Sequence, residues 1–461
     1  MQAHSAIEIR LGPRDRGACH TRAGWLFAKV NHHHSRMRIT RIEDMNADVG
    51  NCPPETDVIG SIREKRVYIR TYGCTYNTGD TQKLEEVLKH QRCSLVDDPA
   101  DADVVIVNTC TVIGSTERKI LRELRILQNH PLYVTGCMAV VSKEVILSQS
   151  NARVFPPEEI RAAYRRIGTV TGRPIGIVQV CHGCRGACSY CITKNARGWL
   201  TSYAVEEIAR QIQALVMQGA VEIQMTGQDL SAWGMDIGLN LGHLLSEINS
   251  IPGHYRVRVG MMNPATLHPI MDSVAGAFVG QKVFSLIHIP VQSGSDEILS
   301  RMNRGYTREK VIDIVRRFRE HIPDLSLFTD VICGYPGETE EDFLETLGLL
   351  SVLQPDKVNV TRYSRRSGTS AALEKDMPDR FKKERSRILR IHAEAIARKK
   401  NACLIGREIP VLFTEHPRKG SSMGRTAQYT GVVVPGHHEP GTIKRVRLTE
   451  DRIYYFLGEI V

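Results

Sequence analysis

The chain has 461 residues, of which 42% are apolar and 24% charged, enough for two to four domains each with its own core. Its formal charge of +10 is compatible with a polyanionic partner such as nucleic acid. Twelve cysteines are too sparse for a disulfide scaffold, no secretory signal opens the chain and no apolar run approaches membrane-spanning length, so a soluble cytoplasmic protein without a membrane partner is expected.

Residues 1–65 are rich in Arg, His and Asn and show no period of 2 or 3.6. They include His32-His33-His34, which could bind metal but is read as part of a disordered extension. Organisation starts at Val67-Tyr68-Ile69-Arg70-Thr71-Tyr72-Gly73-Cys74, a strand ending in glycine and cysteine, followed by a helix over Gln82 to Lys89. Val104 to Cys110 is a continuous apolar run of the kind buried in parallel sheets. A helix over Thr116 to Leu127 leads to a third strand, Leu132 to Cys137, and Glu158 to Arg166 is a further helix. The alternation implies an open parallel α/β sheet over residues 66–172. Cys74, Cys110 and Cys137 each fall at the carboxyl end of a strand, the edge where such sheets bind ligands. Three buried thiols with no common purpose are the alternative, since free cysteine packs as a small hydrophobe.

Gly172-Arg173-Pro174 is the expected linker, after which the alternation resumes over residues 173–400. Strands are expected at Ile177 to Val180, Val221 to Met225, Arg256 to Gly260, Phe284 to Ile289, Leu325 to Val331 and Lys357 to Thr361. Helices with one apolar stripe intervene, at Ser202 to Gln218 and Thr307 to Arg319. Six such units fit a partial (β/α) barrel, whose active sites lie at the carboxyl ends of its strands. After the first strand comes Cys184-Arg185-Gly186-Ala187-Cys188-Ser189-Tyr190-Cys191, three thiolates spaced to surround one metal centre. An iron–sulfur cube takes four cysteines, so three leave one iron open. Cys181 extends the run to C-x2-C-x3-C-x2-C, which could instead close a structural zinc site in a non-catalytic RNA-binding protein.

Asp379 to Asn401 is a strongly basic helix, either a connector or one wall of a nucleic-acid groove. Residues 401–461 switch to short strands at Glu408 to Thr414, Thr430 to Pro435, Thr442 to Leu448 and Ile453 to Val461. They suggest a small antiparallel β-barrel of the type that binds single-stranded nucleic acid, with Arg418, Lys419 and Arg425 around its first loop and Tyr429 as a stacking surface.

The C-x3-C-x2-C array, with Tyr190 at the aromatic position before its last cysteine, resembles the signature of the radical S-adenosylmethionine superfamily. Together with Tyr72-Gly73-Cys74, Asn108-Thr109-Cys110, Thr135-Gly136-Cys137, His288 to Ser295 and Gly334 to Thr339, the order of the pieces resembles the methylthiotransferase family from Val67 to Val461, with a terminal TRAM domain. Lys194, Ala196-Arg197-Gly198, Thr226-Gly227-Gln228-Asp229 and Ala232-Trp233-Gly234 resemble the archaeal and eukaryotic branch acting on threonylcarbamoyladenosine in tRNA. The resemblance implies two 4Fe-4S clusters, one catalytic on Cys184, Cys188 and Cys191 and one on Cys74, Cys110 and Cys137. Reductive cleavage of S-adenosylmethionine at the first would give a 5′-deoxyadenosyl radical that removes hydrogen from C2 of the modified adenosine beside the anticodon. The second would deliver methylated sulfur, and a second S-adenosylmethionine the methyl group. The implied partners are the tRNA anticodon stem-loop, an electron donor and a sulfur source. Sister activities on a prenylated tRNA adenosine or a ribosomal-protein aspartate fit the same motifs.

The resemblance also assigns Tyr190, Gly227, Gln228, Asp229, Gln292 and Ser293 to cofactor binding. Asp229 would face the methionyl ammonium or merely cap a turn. Gln292 and Ser293 would hold the nucleoside or merely shape the turn at Gly294. Gly334-Tyr335-Pro336-Gly337 would line an adenine pocket or only close a strand end.

Overall fold

A computed structural model of the chain describes residues 58–168, 172–418 and 420–461, and the side chains of 416–418 lie outside that description. The triple histidine and nearly all of the expected extension fall outside the described residues. The extension as expected is nevertheless too long. Ile59 and Ile62 are fully buried in the first core, and the Ile59 N–H donates to Glu159 Oε1 at 2.9 Å. Two apolar side chains too few to show a period were invisible in the sequence, yet they belong to the folded body.

The first sheet holds β1 (Arg66–Thr71), β2 (Ser94–Val96), β3 (Val104–Thr109), β4 (Leu132–Gly136) and β5 (Arg153–Val154) in the order β2-β1-β3-β4-β5. Its recorded pairings are all parallel. Every residue of β3 and β4 is buried, as a strand covered on both faces by helices requires. The short edge strands β2 and β5 carry too few residues to signal themselves in sequence.

Six parallel strands follow in chain order around an incomplete barrel. They are β6 (Ile175–Gln179), β9 (Glu222–Thr226), β10 (Arg256–Val259), β11 (Leu286–His288), β12 (Ser326–Cys333) and β13 (Lys357–Arg362). They form two three-stranded sheets, joined by single bridges at Val257–Val283 and Met261–His288. Between β6 and β9 a small hairpin, β7 (Cys181–His182) with β8 (Thr201–Ser202), frames the cysteine loop. The barrel core is the largest among the described residues and includes Cys181, Trp233, Ile287, Leu327 and Phe343, all essentially inaccessible to solvent.

The basic helix Asp379–Ala402 packs as a strut. Leu389, Ala393, Ile396 and Ala397 are buried, and its inward cations are paired, Lys382 with Asp376 at 2.8 Å and Arg385 with Glu338 at 2.5 Å. The last strands are β14 (Glu408–Arg418), β15 (Ser421–Arg425), β16 (Gly431–Pro435), β17 (Ile443–Asp451) and β18 (Tyr455–Ile460), closed as β14-β15-β16-β18-β17. The barrel has one strand more than the four expected, because Ser421–Arg425 is polar and glycine-containing, and one of its pairings, β16 with β18, is parallel. Tyr429 is not a stacking surface. It is 8% exposed, meets Phe284 edge-to-face at 4.9 Å and donates to Glu222 Oε1 at 2.6 Å, docking the small barrel against the large one. Arg425 is likewise occupied, by Glu415 at 3.0 Å. Among the described residues no helix is long and apolar enough to cross a membrane.

Candidate active site: two cysteine triads

Three adjacent strands of the first sheet place the first triad. Thr71 is in register with Asn108, and Thr109 with Gly136, so the residues that follow emerge side by side at one edge. Cys110 follows β3 directly, Cys137 begins a helix at the end of β4, and Cys74 caps the helix Thr75–His90. Gly136 turns the chain at φ +91°, and a Cβ there would fall 2.3 Å from the Thr109 carbonyl oxygen, so only glycine fits before Cys137. Asn77 ties the strand ends together, its Nδ2 donating to the carbonyls of Tyr72 at 2.9 Å and Thr109 at 2.8 Å. Cys110 and Cys137 are buried and Cys74 is exposed, so the triad opens on one side. Burial pushes the Cys110 thiol up to about 11, with the other two sulfurs adding to the rise. Burial also raises Cys137, against the opposing pull of Arg197.

The second triad lies on the loop after β6. Cys184 accepts from the Gly186 N–H at 3.2 Å, and a Cβ on Gly186 would stand 3.3 Å from the Cys184 sulfur and 3.7 Å from that of Cys188. The loop thus leaves a concave space between its sulfurs that any side chain at this position would fill. Burial, and next the Asp229 carboxylate, raise the Cys184 thiol to about 11. Arg304, buried, donates to Cys188 Sγ at 3.0 Å and to Asn263 Oδ1 at 3.2 Å. Ser189 Oγ is 2.8 Å from the Tyr335 hydroxyl, and Lys194 donates to the Gly186 carbonyl at 3.1 Å. A barrel residue therefore braces nearly every turn of the loop.

Cys181 stands apart. It pairs with Ser202 in the hairpin, is fully buried in the apolar core against Gly227, and burial drives its thiol far up. Among the described residues no group of three or more His, Cys, Asp or Glu side chains is placed to hold one metal ion. A cube differs, because each of its cysteines meets a different iron and the sulfurs stand further apart than the ligands of one ion. Both triads offer soft thiols, the loop triad around a concave space and the strand-end triad with Cys74 exposed on one side.

The remaining expected cofactor contacts divide. Gln228 and Gln292 each carry a buried side-chain oxygen with no hydrogen-bond partner among the described residues, at the ends of β9 and after β11, free to accept from a ligand's N–H or O–H groups. Asp229 is turned inward: Oδ1 accepts from the N–H groups of Ser231 and Asn263, both at 3.1 Å, and Oδ2 accepts from the Thr266 hydroxyl at 2.8 Å. Of its two expected roles the geometry displays the turn cap. Ser293 accepts from the Ser295 N–H at 3.2 Å, and Gly227 backs Cys181. Tyr190 packs among Ile298, Met302, Tyr335 and Tyr363, and fully buried Tyr335 holds its strand-end turn as part of the same brace.

Sequence reasoning left Asn77, Asp80, Arg304 and Arg366 unremarked and gave Arg197 no role. The available signal was polar residues on the buried side of the helix Thr75–His90, where Asn77, Asp80, Thr81, Lys83 and Glu86 interrupt the apolar stripe.

Comparison with known proteins follows the same division. Residues 66–155 match the family described as "Uncharacterized protein family UPF0004", 178–350 the Radical SAM superfamily and 404–461 the TRAM domain. A probable threonylcarbamoyladenosine tRNA methylthiotransferase of Methanothermobacter thermautotrophicus is 37% identical, over 86% of this chain and 99% of that protein. The protein of the same description from Pyrococcus horikoshii is 36% identical over the same shares. A tRNA-2-methylthio-N(6)-dimethylallyladenosine synthase of Moorella thermoacetica is 33% identical, over 86% of this chain and 98% of that protein. Among solved structures, the radical S-adenosylmethionine methyltransferase TsrM of Kitasatospora setae aligns with a TM-score of 0.49 at 16% identity, over 67% of this chain and 74% of that one. The chain belongs to the radical S-adenosylmethionine tRNA methylthiotransferases, in their threonylcarbamoyladenosine branch.

Proposed function

We propose that the protein methylthiolates C2 of N6-threonylcarbamoyladenosine beside the anticodon of tRNA, giving 2-methylthio-N6-threonylcarbamoyladenosine. The observation that carries this reading is the presence of two separate open triads, each at the carboxyl edge of its own parallel sheet. Sulfur insertion by radical chemistry asks for two such centres, whereas a simple radical enzyme asks for one. The branch motifs and the 36–37% identity to relatives described as acting on threonylcarbamoyladenosine support the substrate.

Cys184, Cys188 and Cys191 would hold a 4Fe-4S cluster with an open iron, and Cys74, Cys110 and Cys137 a second. When bound, the first cluster and S-adenosylmethionine supply a carbon-centred radical, and the second cluster supplies sulfur. The chain's own residues position and shield. Arg304 fixes Cys188, and Tyr335 and Asn303 fix the loop around it, Asn303 Nδ2 donating to the Ala187 carbonyl at 2.9 Å. Gln228 and Gln292 would accept from the cofactor's polar hydrogens through oxygens that otherwise stay unpaired. The closed terminal barrel would contact the anticodon stem-loop, in the cytoplasm, where the thiols stay reduced.

Nucleoside mass spectrometry of tRNA from cells with and without the gene tests the substrate. Loss of 2-methylthio-N6-threonylcarbamoyladenosine on deletion is expected. An unchanged level of it, or loss of a methylthiolated prenyl-adenosine instead, would sink the assignment. Anaerobically purified protein should contain about eight irons with matching sulfide.

A further inference from the structure

Two arginines of the barrel reach residues of the amino-terminal domain, Arg197 those around its cysteine triad and Arg366 Glu117. Arg197 ends the short helix Thr193–Arg197, which follows Cys191, yet its guanidinium lies among residues of the helix that follows Cys74. It stands 2.8 Å from Asp80 Oδ2, donates to Asn77 Oδ1 at 2.8 Å and covers the Tyr76 ring at 4.7 Å. Asn77 Oδ1 is also the acceptor facing Cys137 Sγ, at 3.8 Å. Arg197 and Asp80 side chains are each 1% exposed, so their fields act unscreened by solvent. Arg366, also buried, pairs with Glu117 of the amino-terminal domain.

Stability does not account for this arrangement. A buried ion pair is usually no better than a well-packed apolar pair of the same volume, because both charges lose their water. A fixed positive charge does matter to a group that must gain an electron. Hydrogen bonds to cluster sulfurs and local charge are the levers by which proteins set iron–sulfur potentials.

We propose that Arg197 is a positioning residue for the amino-terminal triad: it holds Asn77 beside Cys137, and its charge eases reduction of a cluster held there. The inference rests on the reading that Cys74, Cys110 and Cys137 hold an iron–sulfur cluster. It makes one residue of the barrel's cysteine segment a determinant of the other domain's redox centre. The two triads are then linked by a side chain as well as by the chain itself.

The test uses the full chain carrying Cys184→Ala, Cys188→Ala and Cys191→Ala, so that only the amino-terminal triad can load. After anaerobic reconstitution with iron and sulfide, the midpoint for uptake of one electron from an added reductant is read by EPR-monitored titration. Arg197→Met should load comparable iron with its midpoint moved to more negative potential, and Arg197→Lys should move it back toward the parent value. Equal midpoints for Arg197 and Arg197→Met, or equal shifts for Met and Lys, overturn the proposal. Should Arg197→Met fail to fold, the neutral pair Asp80→Asn/Arg197→Met is read against Asp80→Asn, with the same negative shift expected and an unchanged midpoint overturning it. If the parent with Arg197 intact loads no iron, the second-cluster reading itself fails and the inference falls with it.

Discussion

The two triads reach a similar end by opposite routes. Cys184, Cys188 and Cys191 lie within one loop, and the barrel's task is only to brace it, through Arg304, Tyr335 and Asn303. Cys74, Cys110 and Cys137 come from three separate strand ends, so their meeting depends on the whole register of the first sheet and on the Asn77 cross-link. The local triad is specified by spacing and the distributed one by a fold. Damage to the first sheet should therefore cost the distributed triad while sparing the local one.

The largest expected effect separates the two chemically. Cys188→Ala should abolish reductive cleavage of S-adenosylmethionine, measured as 5′-deoxyadenosine. Cys137→Ala should retain cleavage but bring methylthiolated tRNA to background; a Cys137→Ala protein that still makes product would remove the second triad from the reaction. A graded effect is expected at Lys83, between the domains. Burial lowers its ammonium to about 8 although it donates to Gln179 Oε1 at 2.7 Å. Between about 8 and the ordinary lysine value near 10.5 the unfolded chain binds more protons than the folded one, so stability should rise with pH across that window, by up to about 3 kcal/mol. Below about 8 both states are protonated and the burial cost stands in full. Lys83→Met should flatten the rise in denaturant titrations at several pH values, and an identical slope would place the titration elsewhere.

Asn77→Ala removes the donor to two buried strand-end carbonyls and should cost about 2 kcal/mol. Iron retention after mild denaturant should fall in the distributed triad, with the local triad's EPR signal preserved; equal loss from both would contradict the contrast. The smallest effect is expected at Cys181, where Ala leaves a small cavity costing about 1 kcal/mol and cofactor cleavage stays near wild type. A Cys181→Ala protein without cleavage would make that residue a ligand and dissolve the distinction between loop and core.

The sequence alone determined what short-range patterns encode. Ligand spacing confined to one loop, period-2 and buried strands, and glycine before a strand-end cysteine at Gly73 and Gly136 are all local, so the three-part α/β architecture and the strand-end or loop positions of the six cysteines were legible. Tertiary structure alone decided the rest, because it depends on which distant surfaces meet. Arg197 was visible as part of a motif, but only the docking of the barrel on the first sheet brings it to Asp80 and Asn77. Tyr429 looked like a free aromatic until the terminal barrel buried it against Phe284 and Glu222. Cys181 lay in the run of thiols by spacing, and the hairpin turned it into the core, since alternate residues of a strand face opposite ways. Spacing along a chain fixes how far apart side chains can be, and packing fixes which way they point.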